Sequence, residues 1–166
     1  MELKKRKKLR LENHDYSEYG YYFITLCTHN RQRLFEKSIF DDDFCVIPSE
    51  FISNKIVEKW LIETENKFYV KIDQYVIMPD HIHVIFDIDN FENAERHTGR
   101  SLQDIMKWFK TMTTNEFIKC VKDRTIKPFE KHVWQKSYYD HIIRNDDDYI
   151  KTLNYIFGNP LNPEKP

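Results

Sequence analysis

Tyr75-Val76-Ile77-Met78-Pro79-Asp80-His81-Ile82-His83-Val84-Ile85-Phe86-Asp87-Ile88 reads as a β-like run. Successive side chains of a strand alternate faces, so residues two apart share one. His81 and His83 therefore point the same way, and apolar Ile82, Val84 and Phe86 point the other. Downstream, Tyr155 lies in a helical segment with Asn159 one turn on. Residues four apart share a helix face, so Tyr155 and Asn159 can approach one target together. Two imidazoles, an amide oxygen and a phenol make a candidate metal site with a nucleophile beside it.

The flanks supply the remaining elements. Just before the run, Phe68, Val70 and Ile72 alternate with Tyr69, Lys71 and Asp73, which predicts a strand. A turn near Asp73 and Gln74 would lead into an antiparallel partner through His81 and His83. Pro79 interrupts that partner and belongs at an edge or bulge. Upstream, residues 21–28 predict a first strand, followed by Arg31 and Arg33. Ser49 is placed to cap a helix over 49–67, with Ile52, Ile56 and Trp60, plus Val57 and Leu61, as its apolar stripe. Residues 89–100 are polar and read as a loop. Ser101 and Asp104 resemble a capping box; the stripe Leu102, Ile105, Met106, Phe109 and Met112 continues as a helix to about Val121. A further strand falls within 134–143, clearest at Asp140-His141-Ile142-Ile143. Asn145 then caps a helix whose first turn holds Asp146, Asp147 and Asp148, where carboxylates suit the helix dipole. Pro160 ends it. The order β-α-β-β-α-β-α predicts a ferredoxin-like α+β fold: an antiparallel sheet with helices on one face, plus a C-terminal helix carrying Tyr155.

A chain of 166 residues is expected to form one domain with a real core, spanning 1–166. The net charge of −1 gives no global argument for nucleic acid, but the distribution does. Lys4, Lys5, Arg6, Lys7, Lys8 and Arg10 make a dense basic arm at about 1–12. Its ordinary alternative is a solvated terminus. Cys27, Cys45 and Cys120 are odd in number and lack a close pair, which suits reduced thiols in a cytoplasm. No signal peptide and no membrane-spanning apolar run is read, so no membrane partner is expected.

Several chemistries drop out. A histidine-triad hydrolase wants a third histidine where Ile85 stands, and a zincin wants its histidines on a helix. The cysteines lack zinc-finger spacing. There is no Gly-rich phosphate loop and no Gly-x-Ser-x-Gly elbow. The surviving residues keep structural alternatives: a His-x-His on a half-buried strand is as often packing as ligation, and most of the ten tyrosines must pack. His141 is a competing ligand candidate, though positioning its strand is its more natural role.

Tyr75-Val76-Ile77-Met78-Pro79-Asp80-His81-Ile82-His83 resembles the signature of the insertion-sequence-200-like HUH single-tyrosine transposases. Arg10-Leu11, Asp15-Tyr16-Ser17 and Tyr22-Phe23-Ile24-Thr25-Leu26-Cys27-Thr28-His29-Asn30-Arg31 resemble the REP-associated tyrosine transposases within that family. So do Trp134-Gln135-Lys136-Ser137-Tyr138-Tyr139-Asp140-His141-Ile142-Ile143-Arg144-Asn145 and Tyr155-Ile156-Phe157-Gly158-Asn159-Pro160. The likeness runs over nearly the whole chain, in order. It departs at Asp80, where many relatives carry asparagine.

The resemblance implies His81, His83 and Asn159 as metal ligands and Tyr155 as the nucleophile. A tyrosine hydroxyl ordinarily has a pKa of about 10 and is a poor nucleophile at neutral pH. A divalent ion, Mg2+ or Mn2+, would neutralise charge on the scissile phosphate and align it for in-line attack. The expected product is a 5′-phosphotyrosine and a free 3′-hydroxyl, a step that a 3′-hydroxyl can reverse. The implied partner is single-stranded or hairpin DNA, acted on in a bacterial cytoplasm at the nucleoid. A homodimer and a monomer both stay open. Candidate phosphate contacts are Lys4, Lys5, Arg6, Lys7, Lys8, Arg31, Arg33, Lys107, Lys110 and Arg144; Tyr138 or Trp134 could stack on an unpaired base. Two other functions fit less of the pattern: a hairpin-binding regulator that does not cut, and a metal-dependent phosphoesterase.

Overall fold

The computed structural model describes residues 20–35, 49–88 and 101–158. Its elements are β1 (Gly20–Cys27), α1 (Ser49–Phe68), β2 (Lys71–Met78), β3 (His81–Ile88), α2 (Leu102–Lys122), β4 (Tyr139–Ile143) and α3 (Asp146–Gly158). The strands form one sheet of order β2-β3-β1-β4, every neighbouring pair antiparallel. This is the expected ferredoxin-like α+β arrangement. β1 takes a central place because it is apolar on both faces, with Tyr22, Phe23, Ile24 and Leu26 all buried.

The alternation of each strand sends its two residue sets to different layers. Tyr22, Ile24 and Leu26 of β1 join Ile82, Val84, Phe86 and Ile88 of β3 in the main core. α1 brings Ile56, Val57 and Leu61 to it, and α2 brings Leu102, Ile105, Met106, Phe109 and Phe117. Burying each such side chain contributes about 2 kcal/mol. On the opposite face, Phe23, Ile85 and Ile143 pack against Ile156 of α3. α1 and α2 thus cover one face, and α3 lies across the face that carries the histidines.

The caps behave as their sequences predict. Ser101 and Asp104 exchange both bonds of a capping box at the start of α2. The Asn145 side chain accepts from the Asp148 N–H at 2.9 Å and caps α3. The β-hairpin differs from the expectation. Phe68 ends α1, and Tyr69 closes the helix in the left-handed region at φ 54°. β2 then runs straight through Asp73 and Gln74, where the register merely shifts at a bulge between Ile72 and Gln74. The turn is Pro79-Asp80 instead, joining Met78 to its partner His81. Proline lacks the N–H that a paired strand residue donates, and its fixed φ suits a turn. The final strand is shorter than 134–143: Trp134 makes only an isolated bridge to Thr28. It is also 5 % exposed, with Nε1 donating to Thr113 Oγ1 at 2.8 Å, so it is core and not a base-stacking platform. Among the described residues no helix is long and apolar enough to cross a membrane.

Candidate active site

The hairpin turn delivers the two histidines to one spot. His81 opens β3 and His83 follows on the same face, the face covered by α3. The turn is clamped from the end of β1: the Thr28 N–H and Oγ1 both donate to the Asp80 carbonyl, each at 2.9 Å. Beyond Thr28 the chain doubles back through Asn30 (φ 52°) and Arg31 (φ 55°), both left-handed. Such conformations cost of order 1 kcal/mol each and persist only where the surroundings hold them. Their result is that Arg31 Nη1 reaches Asp80 Oδ2 at 3.3 Å.

Each imidazole is held at Nδ1. Asp80 Oδ1 lies 2.6 Å from His81 Nδ1, and Thr25 Oγ1 lies 2.8 Å from His83 Nδ1. That leaves the two Nε2 atoms facing one another at 3.1 Å. A hydroxyl both donates and accepts, so Thr25 can serve His83 in either tautomer. His83 is 1 % exposed and stacks on Phe23 at 5.3 Å. Burial, with the neighbouring His81 and Arg31 charges, lowers its pKa to about 3, so its ring is neutral at working pH. A neutral imidazole held at Nδ1 by a hydrogen bond presents Nε2 in a fixed direction, the form in which the ring ligates a metal.

Tyr155 stands beside His83. Its ring is 5.1 Å from His83 and meets Phe23 edge-on at 5.9 Å. It is 45 % exposed and opens into a cleft of about 600 Å³. α3 is held in place by two polar ties. Asp148 binds His141 Nε2 at 2.9 Å, and that contact, before all others, keeps the Asp148 carboxyl below its usual range. Tyr149 donates to Asp73 Oδ2, and this bond pushes its pKa up to about 12.

Of the predicted residues, then, His81, His83 and Tyr155 converge. Asn159 lies outside the described residues, as do Lys4, Lys5, Arg6, Lys7 and Lys8 and the loop 89–100. Among the described residues no three His, Cys, Asp or Glu side chains form a metal cluster. Arg31 lines the cleft, and Arg33 is exposed at a separate hollow below the turn. Lys107 and Lys110 line a groove of about 490 Å³ on α2 with Lys136 and Tyr138. Lys110 Nζ is committed to the Gln135 and Lys136 carbonyls at 2.7 and 2.9 Å, and burial lowers its pKa. Arg144 is exposed after β4. His141 serves as a strand-to-helix tie. Sequence reading passed over Thr25 and treated Asp80 as a departure. Asp80 was approachable from its adjacency to His81; Thr25 faces His83 only through the β1–β3 register.

The Tyr149 hydroxyl is thereby committed to Asp73, whereas Tyr155 lines the cleft. Tyr149→Phe is expected to keep any tyrosine-linked product within about twofold while lowering stability by about 1 kcal/mol. Its folded pKa is raised, so the Asp73 bond contributes fully below about pH 10 and is lost as pH climbs through about 12. Thermal melts of the two proteins should converge over that window; a constant gap would assign the stability difference to packing.

Residues 16–159 match the family model of IS200-like transposases. An uncharacterised protein of Haemophilus influenzae is 29% identical over 94% of this chain and 88% of its own length. A second protein of that organism, provisionally named a REP-associated tyrosine transposase, is 28% identical over 89% of this chain and 73% of its own. Among solved structures, a REP-associated tyrosine transposase bound to a REP hairpin superposes with a TM-score of 0.64 at 18% identity. That match covers 93% of this chain and 74% of the other, a likeness of fold.

Proposed function

Because the chain belongs to the IS200-like transposase family, we propose that it cleaves and rejoins single-stranded or hairpin DNA through a tyrosine-linked intermediate. The observation that supports the reading is that the His81 and His83 Nε2 atoms meet at 3.1 Å while the Tyr155 ring lies 5.1 Å from that of His83. In the step itself the Tyr155 oxygen forms a bond to phosphorus as the bond to the 3′-oxygen breaks. The products are a 5′-phosphotyrosine and a 3′-hydroxyl, and the reverse step joins a new strand. The number of phosphoester bonds is conserved, so no nucleotide cofactor is needed.

The donor set fits a divalent cation, Mg2+ or Mn2+. His81 and His83 would hold it, with Asn159 as a proposed third ligand. Bound there, it would supply charge neutralisation at the scissile phosphate. Asp80 and Thr25 fix the rings so that Nε2, not Nδ1, faces that position. The buried, neutral His83 needs no deprotonation to serve. Phe23 keeps one wall dry and fixes the Tyr155 ring edge-on. Arg31 and the basic arm of Lys4, Lys5, Arg6, Lys7 and Lys8 are proposed to hold backbone phosphates, with Arg33, Lys107, Lys110 and Arg144 as further candidates. Recognition of a hairpin is proposed from the partner named for the superposing structure.

The test is incubation with end-labelled hairpin and single-stranded DNA plus manganese, followed by denaturing electrophoresis. A protein–DNA adduct that protease converts to a labelled oligonucleotide supports the reading. Tight DNA binding with no adduct would favour the non-cleaving regulator.

A further inference from the structure

The cleft in front of Tyr155 has a composition that the cleavage chemistry does not account for. β4 pairs with β1 so that Tyr139 lies opposite Thr25. Paired residues share a sheet face, so Tyr139 projects to the same side as the histidines and lines the Tyr155 cleft. It is 51 % exposed, whereas Phe23, Ile85 and Ile143 on the same sheet face are buried. Lys151 lines the same cleft and stands one turn before Tyr155 on α3. Side chains four apart on a helix have Cβ atoms about 5–6 Å apart, so its ammonium can follow the Tyr155 hydroxyl into the cleft. Arg31, paired with Asp80, lines it as well. Among the described residues no carboxylate lines the cleft, and Lys151 makes no ion pair. An aromatic face beside the Lys151 ammonium, in a space of about 600 Å³, suits a ligand that is flat at one end and anionic at the other. Aromatic stacking on any base is sequence-tolerant and contributes about 1–3 kcal/mol.

We propose that this cleft holds one unpaired nucleotide next to the cleaved bond, its base stacked on Tyr139 and its phosphate paired with Lys151. The proposal rests on the reading that the chain acts on DNA strands, and it gives a physical reason for a single-strand requirement. A base in a duplex is stacked and paired, so only an unpaired one can lie on Tyr139. Tyr139 here is a binding residue and Lys151 a phosphate-positioning one; neither takes part in bond-making.

The experiment uses the full chain in excess chelator, where no cleavage occurs, and a DNA hairpin with a single-stranded flank carrying 2-aminopurine at successive positions, the hairpin fixing the register. The wild type is expected to change the fluorescence at one position of the walk. Tyr139→Ala should remove that signal and weaken binding about tenfold, whereas Tyr139→Phe should retain both within about twofold. Lys151→Gln should flatten the log–log salt slope by about 0.7. Equal losses in Tyr139→Ala and Tyr139→Phe, or a fluorescence change spread evenly along the strand, would overturn the nucleotide site. Unchanged affinity in Tyr139→Ala would do the same while leaving the DNA reading intact. No binding by the wild type would bring down the DNA reading itself, and the site with it. Circular dichroism and melting of each variant keep misfolding apart from these outcomes; Tyr139 is half exposed, so its loss is expected to leave the fold in place.

Discussion

Tyr155→Phe is expected to abolish the covalent protein–DNA adduct while leaving DNA affinity within about twofold. The substitution removes one oxygen and keeps the ring. The edge-on contact with Phe23 at 5.9 Å and the approach to His83 at 5.1 Å involve ring carbons and survive it. The hydroxyl end lies in the open cleft, so no buried partner is left unsatisfied. The expected loss is at least roughly 10³-fold in adduct yield, as for removal of other nucleophiles. The measurement is a labelled-hairpin gel beside a binding titration. Undiminished adduct would move the nucleophile elsewhere. Tyr139, which shares the cleft, would be next to test; Tyr149 is committed to Asp73 and points away from that role.

The second large effect concerns the histidine pair. His81→Ala and His83→Ala are each expected to lower cleavage by more than about 100-fold, since loss of even an outer-shell partner of a metal ligand costs 10–100-fold. Excess chelator should reproduce the loss in the wild type, and added manganese should reverse it. The two substitutions differ in their structural consequences. His83 is 1 % exposed and stacked on Phe23, so its removal opens a cavity and destabilises the sheet. His81 is partly exposed at the turn, so His81→Ala is the cleaner probe. Manganese affinity, measured by calorimetry on variants that melt like the wild type, separates ligation from folding. Full cleavage in excess chelator would sink the metal reading.

Much of the fold was legible because its signals are local. Ser101 with Asp104 and Asn145 before three aspartates mark helix starts through bonds made within one turn. The stripe from Leu102 to Phe109 is a periodicity of the chain itself. The hairpin was misplaced for a related reason. Asp73-Gln74 has turn-like composition, whereas what decides the turn is which residues pair across β2 and β3. The α1 end was similarly blurred, because Phe68 and Val70 are buried in either a helix or a strand.

The site divides along the same line. Alternation along a strand puts His81 and His83 on one face wherever that strand lies, and helical spacing puts Lys151 and Tyr155 on one face of α3. Those relations follow from backbone geometry over a few residues, so the sequence by itself determines them. That α3 crosses the histidine face, that Thr25 rather than another hydroxyl meets His83, and that Arg31 closes on Asp80 depend on contacts 49 to 72 residues apart. The same holds for Tyr139 against the cleft. Sheet order and register set these juxtapositions, and they are chosen by burying the whole core at once, a sum over many side chains that no short stretch of sequence carries.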